Sequence, residues 1–115
     1  MSSPELYRRW IEELWCGRVE VAPDVVGEDF VGHWPDHTVR GPEAPADLIS
    51  RSHAMLEPLS FAIELGPIGQ GDLVAGRWRG HGRQDGEPAE FVGNDILRVR
   101  DGRFVEYWVA SATVP

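Results

Sequence analysis

At 115 residues and 12.8 kDa the chain has room for one core and not two, and its 42% hydrophobic and 26% charged residues exclude a disordered polymer. Nineteen acidic against eleven basic residues leave a net charge of −8, a field that repels polyanions and argues against a nucleic-acid partner. All eleven basic residues are arginines, which excludes Schiff-base lysine chemistry and the lysine of a phosphate-binding loop, and the lone Cys16 excludes an internal disulfide or a multi-cysteine metal site. The N-terminus carries no basic region followed by an apolar stretch, and no run approaches the roughly 18 apolar residues of a membrane span. The expectation is a single soluble, cytoplasmic domain over residues 1–115 with no membrane association. Five tryptophans supply large apolar walls, suited to a core or to the lining of a small-molecule pocket.

Ser3-Pro4-Glu5 offers a cap, a first-turn proline and an early acid, and Leu6, Trp10 and Leu14 recur every four residues, which predicts a helix from Pro4 to Trp15 closed by Gly17. A short helical turn follows at Ala22 to Val26, then a strand over Asp29 to Trp34. After the prolines between Gly41 and Pro45, a stripe of Leu48, Ile49, Ser52, Met55 and Leu56 predicts another helix that Pro58 stops. The period then becomes two. Strands are expected over Phe61 to Leu65, Leu73 to His81, Glu90 to Arg100 and Phe104 to Ala110, with a polar turn at Gln84 to Pro88 and a two-residue hairpin loop at Asp101-Gly102. Helices first and sheet afterwards describe an α+β chain.

A two-residue loop at Asp101-Gly102 sets Val99 opposite Phe104, Leu97 opposite Glu106 and Asp95 opposite Trp108. One face then carries Phe91, Gly93, Asp95, Leu97, Val99, Phe104, Glu106, Trp108 and Ala110, and the arginines of the other mark it as the wetter side. Asp95 thus belongs to the buried face, where lost hydration raises a carboxyl pKa towards the range useful for proton transfer. The competing reading is an Asp95 paired with Arg77, Arg79 or a backbone donor. Val92, Ile96, Val105, Tyr107 and Val109 make the opposite face too apolar to stay exposed, which predicts a homodimer through that outer face with Arg98 and Arg100 at its rim.

The segments Asn94-Asp95-Ile96-Leu97-Arg98-Val99 and Asp101-Gly102-Arg103-Phe104-Val105-Glu106-Tyr107-Trp108 resemble the last hairpin of SnoaL-like proteins, members of the nuclear transport factor 2-like superfamily. Asp29-Phe30-Val31, His33, Arg40-Gly41-Pro42-Glu43 and Arg77-Trp78 extend the resemblance over most of the chain. It implies a cone-shaped α+β fold, with N-terminal helices on a strongly curved antiparallel sheet enclosing a pocket, and usually a homodimer. It also implies cofactor-independent chemistry on a hydrophobic small molecule, such as aldol-type cyclisation, isomerisation or dehydration, or ligand binding without turnover. In SnoaL-like polyketide cyclases the residue matching Asp95 is the acid/base and a neighbouring-strand His, matched by His81, assists it. In ketosteroid isomerases the matching residue is a protonated oxyanion donor, and the base lies near His33. The chain departs from the cyclase pattern at Gly80-His81-Gly82 and in the short connection Arg83 to Pro88.

The candidate catalytic residues are therefore Asp95, His81 and His33, with Trp34, His53, Trp78, Leu97 and Trp108 as pocket lining. No metal or cofactor is expected: His33, Asp36 and His37 straddle the turn at Pro35 with no third strong ligand near in sequence, and no nucleotide-binding glycine pattern precedes a helix.

Overall fold

The computed structural model describes all residues 1–115. Helix α1 (Ser3–Arg9) is capped by the Ser2 hydroxyl, which accepts from the Glu5 N–H at 3.2 Å, one residue earlier than the sequence pattern suggests. It runs directly into a π-helical segment (Trp10–Leu14), in which the Trp15 N–H reaches back five residues to the Trp10 carbonyl. The widened turn buries Leu6, Tyr7, Trp10, Ile11 and Leu14 together, so two adjacent columns of this helix face the core rather than the single stripe of period four. A 3-10 turn (Val19–Val21) and α2 (Ala22–Val25) lead into β1 (Val26–His33) and the short β2 (Thr38–Arg40). Helix α3 (Ala44–Met55), with Pro45 in its first turn, precedes β3 (Ser60–Gln70), β4 (Leu73–Gln84), β5 (Glu87–Arg100) and β6 (Arg103–Thr113).

The six strands form one sheet in the order β2-β1-β6-β5-β4-β3. Pairing is antiparallel except between β1 and β6, which run parallel, so the sheet is mixed and the expectation of an antiparallel sheet is corrected. Hairpin patterning reveals only strands that are neighbours in sequence; β1 and β6 are brought together by the whole intervening chain. The β4–β5 and β5–β6 hairpins turn on Asp85-Gly86 and Asp101-Gly102, all four residues at positive φ as two-residue type I′ turns require. The helices cover the concave side, and one core of sixteen buried residues joins the Trp10 column to Phe30, Leu97, Phe104 and Tyr107. No helix is long and apolar enough to cross a membrane.

The β5–β6 register changes the sequence assignment of faces. Arg100 pairs with Arg103 and Val99 with Phe104 as expected, but an extra residue on β6 then puts Glu106 opposite Arg98, Tyr107 opposite Leu97, Trp108 opposite Ile96 and Val109 opposite Asp95. A one-residue bulge exchanges the two faces of everything beyond it. Tyr107 and Val109 therefore point into the core, and Glu106 and Trp108 lie on the convex side. The face proposed for dimerisation loses Tyr107 and Val109 and gains Trp108, in a row that runs Ile68, Ala75, Ile96, Trp108 across β3 to β6.

Candidate functional site

The concave side of the sheet is built around one buried carboxylate. Asp95 on β5 is 1% exposed and touches no arginine. Three neutral groups hold it: Trp78 Nε1 donates to Oδ1 at 3.0 Å, the Tyr107 hydroxyl donates to Oδ1 at 2.9 Å, and the Tyr7 hydroxyl donates to Oδ2 at 3.0 Å. The alternative of an Asp95–arginine pair is removed by strand parity, since Arg77 and Arg79 project from the opposite face of β4, where both bind Glu64.

Two glycines make this arrangement sterically possible. Gly76 is the cross-strand partner of Asp95, and a Cβ there would lie 2.4 Å from Tyr7 Cε2. Gly93 is the partner of Trp78, and a Cβ there would lie 2.1 Å from Trp78 Cζ2. The two rings thus lie directly on bare backbone, which lets helix α1 and strand β4 each reach the same carboxylate.

Burial disfavours charge on Asp95 more than the three donors restore it, and its pKa rises from 3.8 to about 6. Trp10 Nε1 has no partner at hydrogen-bonding geometry, yet lies near enough to add a small stabilisation of the charged form. The same environment pushes the Tyr7 and Tyr107 hydroxyls far above the ordinary phenol range, first through desolvation and then through the adjacent carboxylate. Both phenols stay neutral while Asp95 titrates.

A cavity of about 350 Å3 opens beside this group, walled by Trp15, Trp34, Phe61, Trp78, Phe91 and Tyr107. Its volume suits a small organic molecule and eleven of its fourteen lining residues are hydrophobic. Asp95 is not itself part of the lining: Trp78 and Tyr107 stand between it and the cavity. A larger cleft of about 710 Å3 opens between Glu28, Asp47, Arg100 and Arg103, but only five of its fifteen lining residues are hydrophobic and none of its ionisable groups is buried, so it lacks the features of the first.

The other sequence candidates separate. His81 is on the convex face of β4, with 61% of its side chain exposed and Glu90 Oε1 3.9 Å away, so it cannot share a proton with Asp95 across the sheet. His33 is also convex: its Nε2 lies 2.7 Å from Glu106 Oε2 and its ring stacks on Trp108 at 5.6 Å. Trp108 accordingly does not line the apolar cavity, and Arg98, bonded to Asp72, lies over its ring at 5.7 Å. His53 sits at the edge of α3, with Nε2 2.7 Å from the Trp15 carbonyl oxygen, fastening the end of the first helix rather than lining the cavity. Leu97 is fully buried in the core beside the site. Trp34 and Trp78 do line the cavity. His37 bonds Asp36 at 2.7 Å in an exposed turn and stacks on Trp34, and no three metal-ligating side chains converge anywhere in the chain.

Sequence reasoning did not identify Tyr7 and Tyr107, two of the three donors. Tyr7 falls outside the period-four stripe, and Tyr107 lies beyond the bulge. The signal that was present is the pair of mid-strand glycines, Gly76 and Gly93, which announce a close approach to backbone.

The sequence pattern of the SnoaL-like domain matches residues 7–107. Among solved structures, IdmH of Streptomyces antibioticus, a candidate polyketide cyclase, is 26% identical with a TM-score of 0.82, over 96% of this chain and 92% of that one. A candidate polyketide cyclase of Bacillus cereus is also 26% identical, with a TM-score of 0.81, over 92% of this chain and 71% of its own. A SnoaL-like protein of Jannaschia, 19% identical with a TM-score of 0.82 over 96% of this chain and 89% of that one, shares the fold. No curated protein matches the sequence. Because the matched pattern spans Tyr7, Trp78, Asp95 and Tyr107 and the helix-on-mixed-sheet architecture agrees with these structures, the chain belongs to the SnoaL-like domain family.

Proposed function

We propose that this protein is a cofactor-independent enzyme that uses Asp95 as a general acid/base on a hydrophobic carbonyl-containing or oxygenated metabolite, in an aldol-type cyclisation, isomerisation or dehydration. One observation carries the reading: a desolvated carboxyl with no cationic partner, bonded to neutral donors, two of which form the wall of an apolar cavity. A carboxyl titrating near the working pH is both a competent acid and a competent base. The cyclase descriptions of IdmH and the Bacillus protein agree in reaction class. Neither His81 nor His33 has a part in this proposal, since both lie on the convex face.

The test is deuterium incorporation at the α-carbon of a panel of hydrophobic aryl ketones in D2O, followed by NMR. The wild type should accelerate exchange of at least one ketone, and Asp95→Asn should lower that rate at least ~100-fold. Saturable ketone binding with no exchange above the buffer rate would instead favour the second reading, a binding protein in which the same site fixes a ligand's polar end.

We also propose a homodimer through the convex face. Ile68 is 68% and Ile96 47% exposed, and both lie in one cross-strand row with Ala75 and Trp108. Light scattering should give about twice 12.8 kDa at micromolar concentration, and Ile96→Asp should return the monomer. A wild-type monomer would contradict it.

A further inference from the structure

Asp95 is the titrating group, but it does not line the cavity. Any proton that moves between the carboxyl and a bound molecule has to pass its neighbours. Of the three donors, Tyr7 bonds Oδ2 and is absent from the cavity lining, which leaves Trp78 and Tyr107, both on Oδ1 and both in the cavity wall. These two differ in one chemical respect. An indole N–H only donates, so it can hold the carboxylate but cannot hand a proton on, whereas a hydroxyl donates and accepts at one oxygen.

We propose that Tyr107 relays the proton between Asp95 and a molecule bound in the apolar cavity. This deepens the acid/base reading above and rests on it. In the acid direction the Asp95 O–H bond breaks as its proton bonds to Tyr107 Oη, while the Tyr107 O–H bond breaks and its proton bonds to an oxygen or enolate carbon of the bound molecule. The products are the Asp95 carboxylate, a neutral Tyr107 and a protonated ligand; the base direction is the reverse. Both transfers occur together, because a free Tyr107 phenolate beside Asp95 is strongly disfavoured.

The relay carries an orientation rule. With Asp95 ionised, the Tyr107 hydrogen is committed to Oδ1, so the hydroxyl has only lone pairs left for a second partner. With Asp95 protonated, the carboxyl can donate to Oη and free the phenolic hydrogen to point at a ligand. Titration of Asp95 thereby reverses what the cavity wall presents. The groups facing Asp95 are Tyr7 from α1, Trp10 from the π-helical segment, Trp78 from β4 and Tyr107 from β6; none is charged at neutral pH.

The experiment uses 2-acetylnaphthalene as probe and 2-ethylnaphthalene as its hydrocarbon control, with the probe's carbonyl stretch read by infrared difference spectroscopy at pH 5 and pH 8. The wild type should show a lowered, hydrogen-bonded carbonyl band at pH 5 that is lost at pH 8. Tyr107→Phe, which leaves Asp95 its Trp78 and Tyr7 donors, should bind the probe but show the free band at both pH values. Tyr7→Phe and Trp78→Phe should keep a pH-dependent band, and Asp95→Asn should show a band that does not change with pH. A wild-type response in Tyr107→Phe, or a response lost only in Tyr7→Phe, would overturn the relay while leaving Asp95 as acid/base. So would binding of the hydrocarbon but not the ketone to the wild type. If neither probe binds, the ligand-cavity reading fails and the relay with it.

Discussion

Replacing Asp95 by Asn should make the protein more stable at pH 7.5 and leave it nearly unchanged at pH 4. The carboxyl pKa rises on folding from 3.8 to about 6, mainly through desolvation, so the folded state holds its proton more tightly than the unfolded one. Stability from this group is complete below pH 3.8, falls as pH rises towards 6 and stays low above it, a total of about 3 kcal/mol. Asn cannot ionise and escapes that loss. Its amide oxygen can accept from Trp78 and Tyr107, and Tyr7 can rotate its hydroxyl to accept from the amide nitrogen. Thermal melts of the two proteins should therefore agree near pH 4 and diverge by roughly 10 °C at pH 7.5, the variant being higher. A variant that melts far below the wild type at both pH values would show that the carboxylate is a structural anchor.

The second large effect is expected from a single methyl group. Gly76→Ala puts a Cβ 2.4 Å from the Tyr7 ring, which is fully buried and cannot swing into solvent. The ring, or helix α1 that carries it, has to move, and Asp95 then loses the hydroxyl on Oδ2. Overpacking and the lost hydrogen bond to a charged group together should cost about 3 kcal/mol in denaturant unfolding at pH 7.5. The Asp95 pKa should rise further, because one of the donors favouring the ionised form is gone. Gly93→Ala should cost less despite its closer 2.1 Å approach, since Trp78 is only half-buried and has room to shift. A loss below 1 kcal/mol for Gly76→Ala would mean that Tyr7 is held less tightly than this packing requires.

What the sequence made legible follows from how locally each feature is encoded. The Asp101-Gly102 turn, the strand β5 parity that buries Asp95, and the helices-then-sheet order all depend on residues within a few positions of one another, and the structure agrees with each. The faces of β6 were misread because a bulge is invisible to strict alternation. A cue lay in Phe104 and Tyr107, two aromatics whose odd spacing suits one face only if a residue is extra. The parallel β1–β6 pair depends on long-range closure that no local pattern records, whereas the three-residue β2 is a local antiparallel partner of β1 too short to show a period. Because β1 and β4 present His33 and His81 outwards, their proximity to Asp95 in sequence-based topology did not become contact.

A carboxyl beside the cavity that is bonded to three neutral donors and to no cation is expected to titrate near the pH at which it must give and take protons. Carbon-13 NMR of aspartate labelled at the carboxyl, with the Asp95 signal assigned by its absence in Asp95→Asn, measures this directly on the whole protein. The account predicts a midpoint of about 6, and a midpoint at or below the 3.8 of an ordinary aspartate would contradict it.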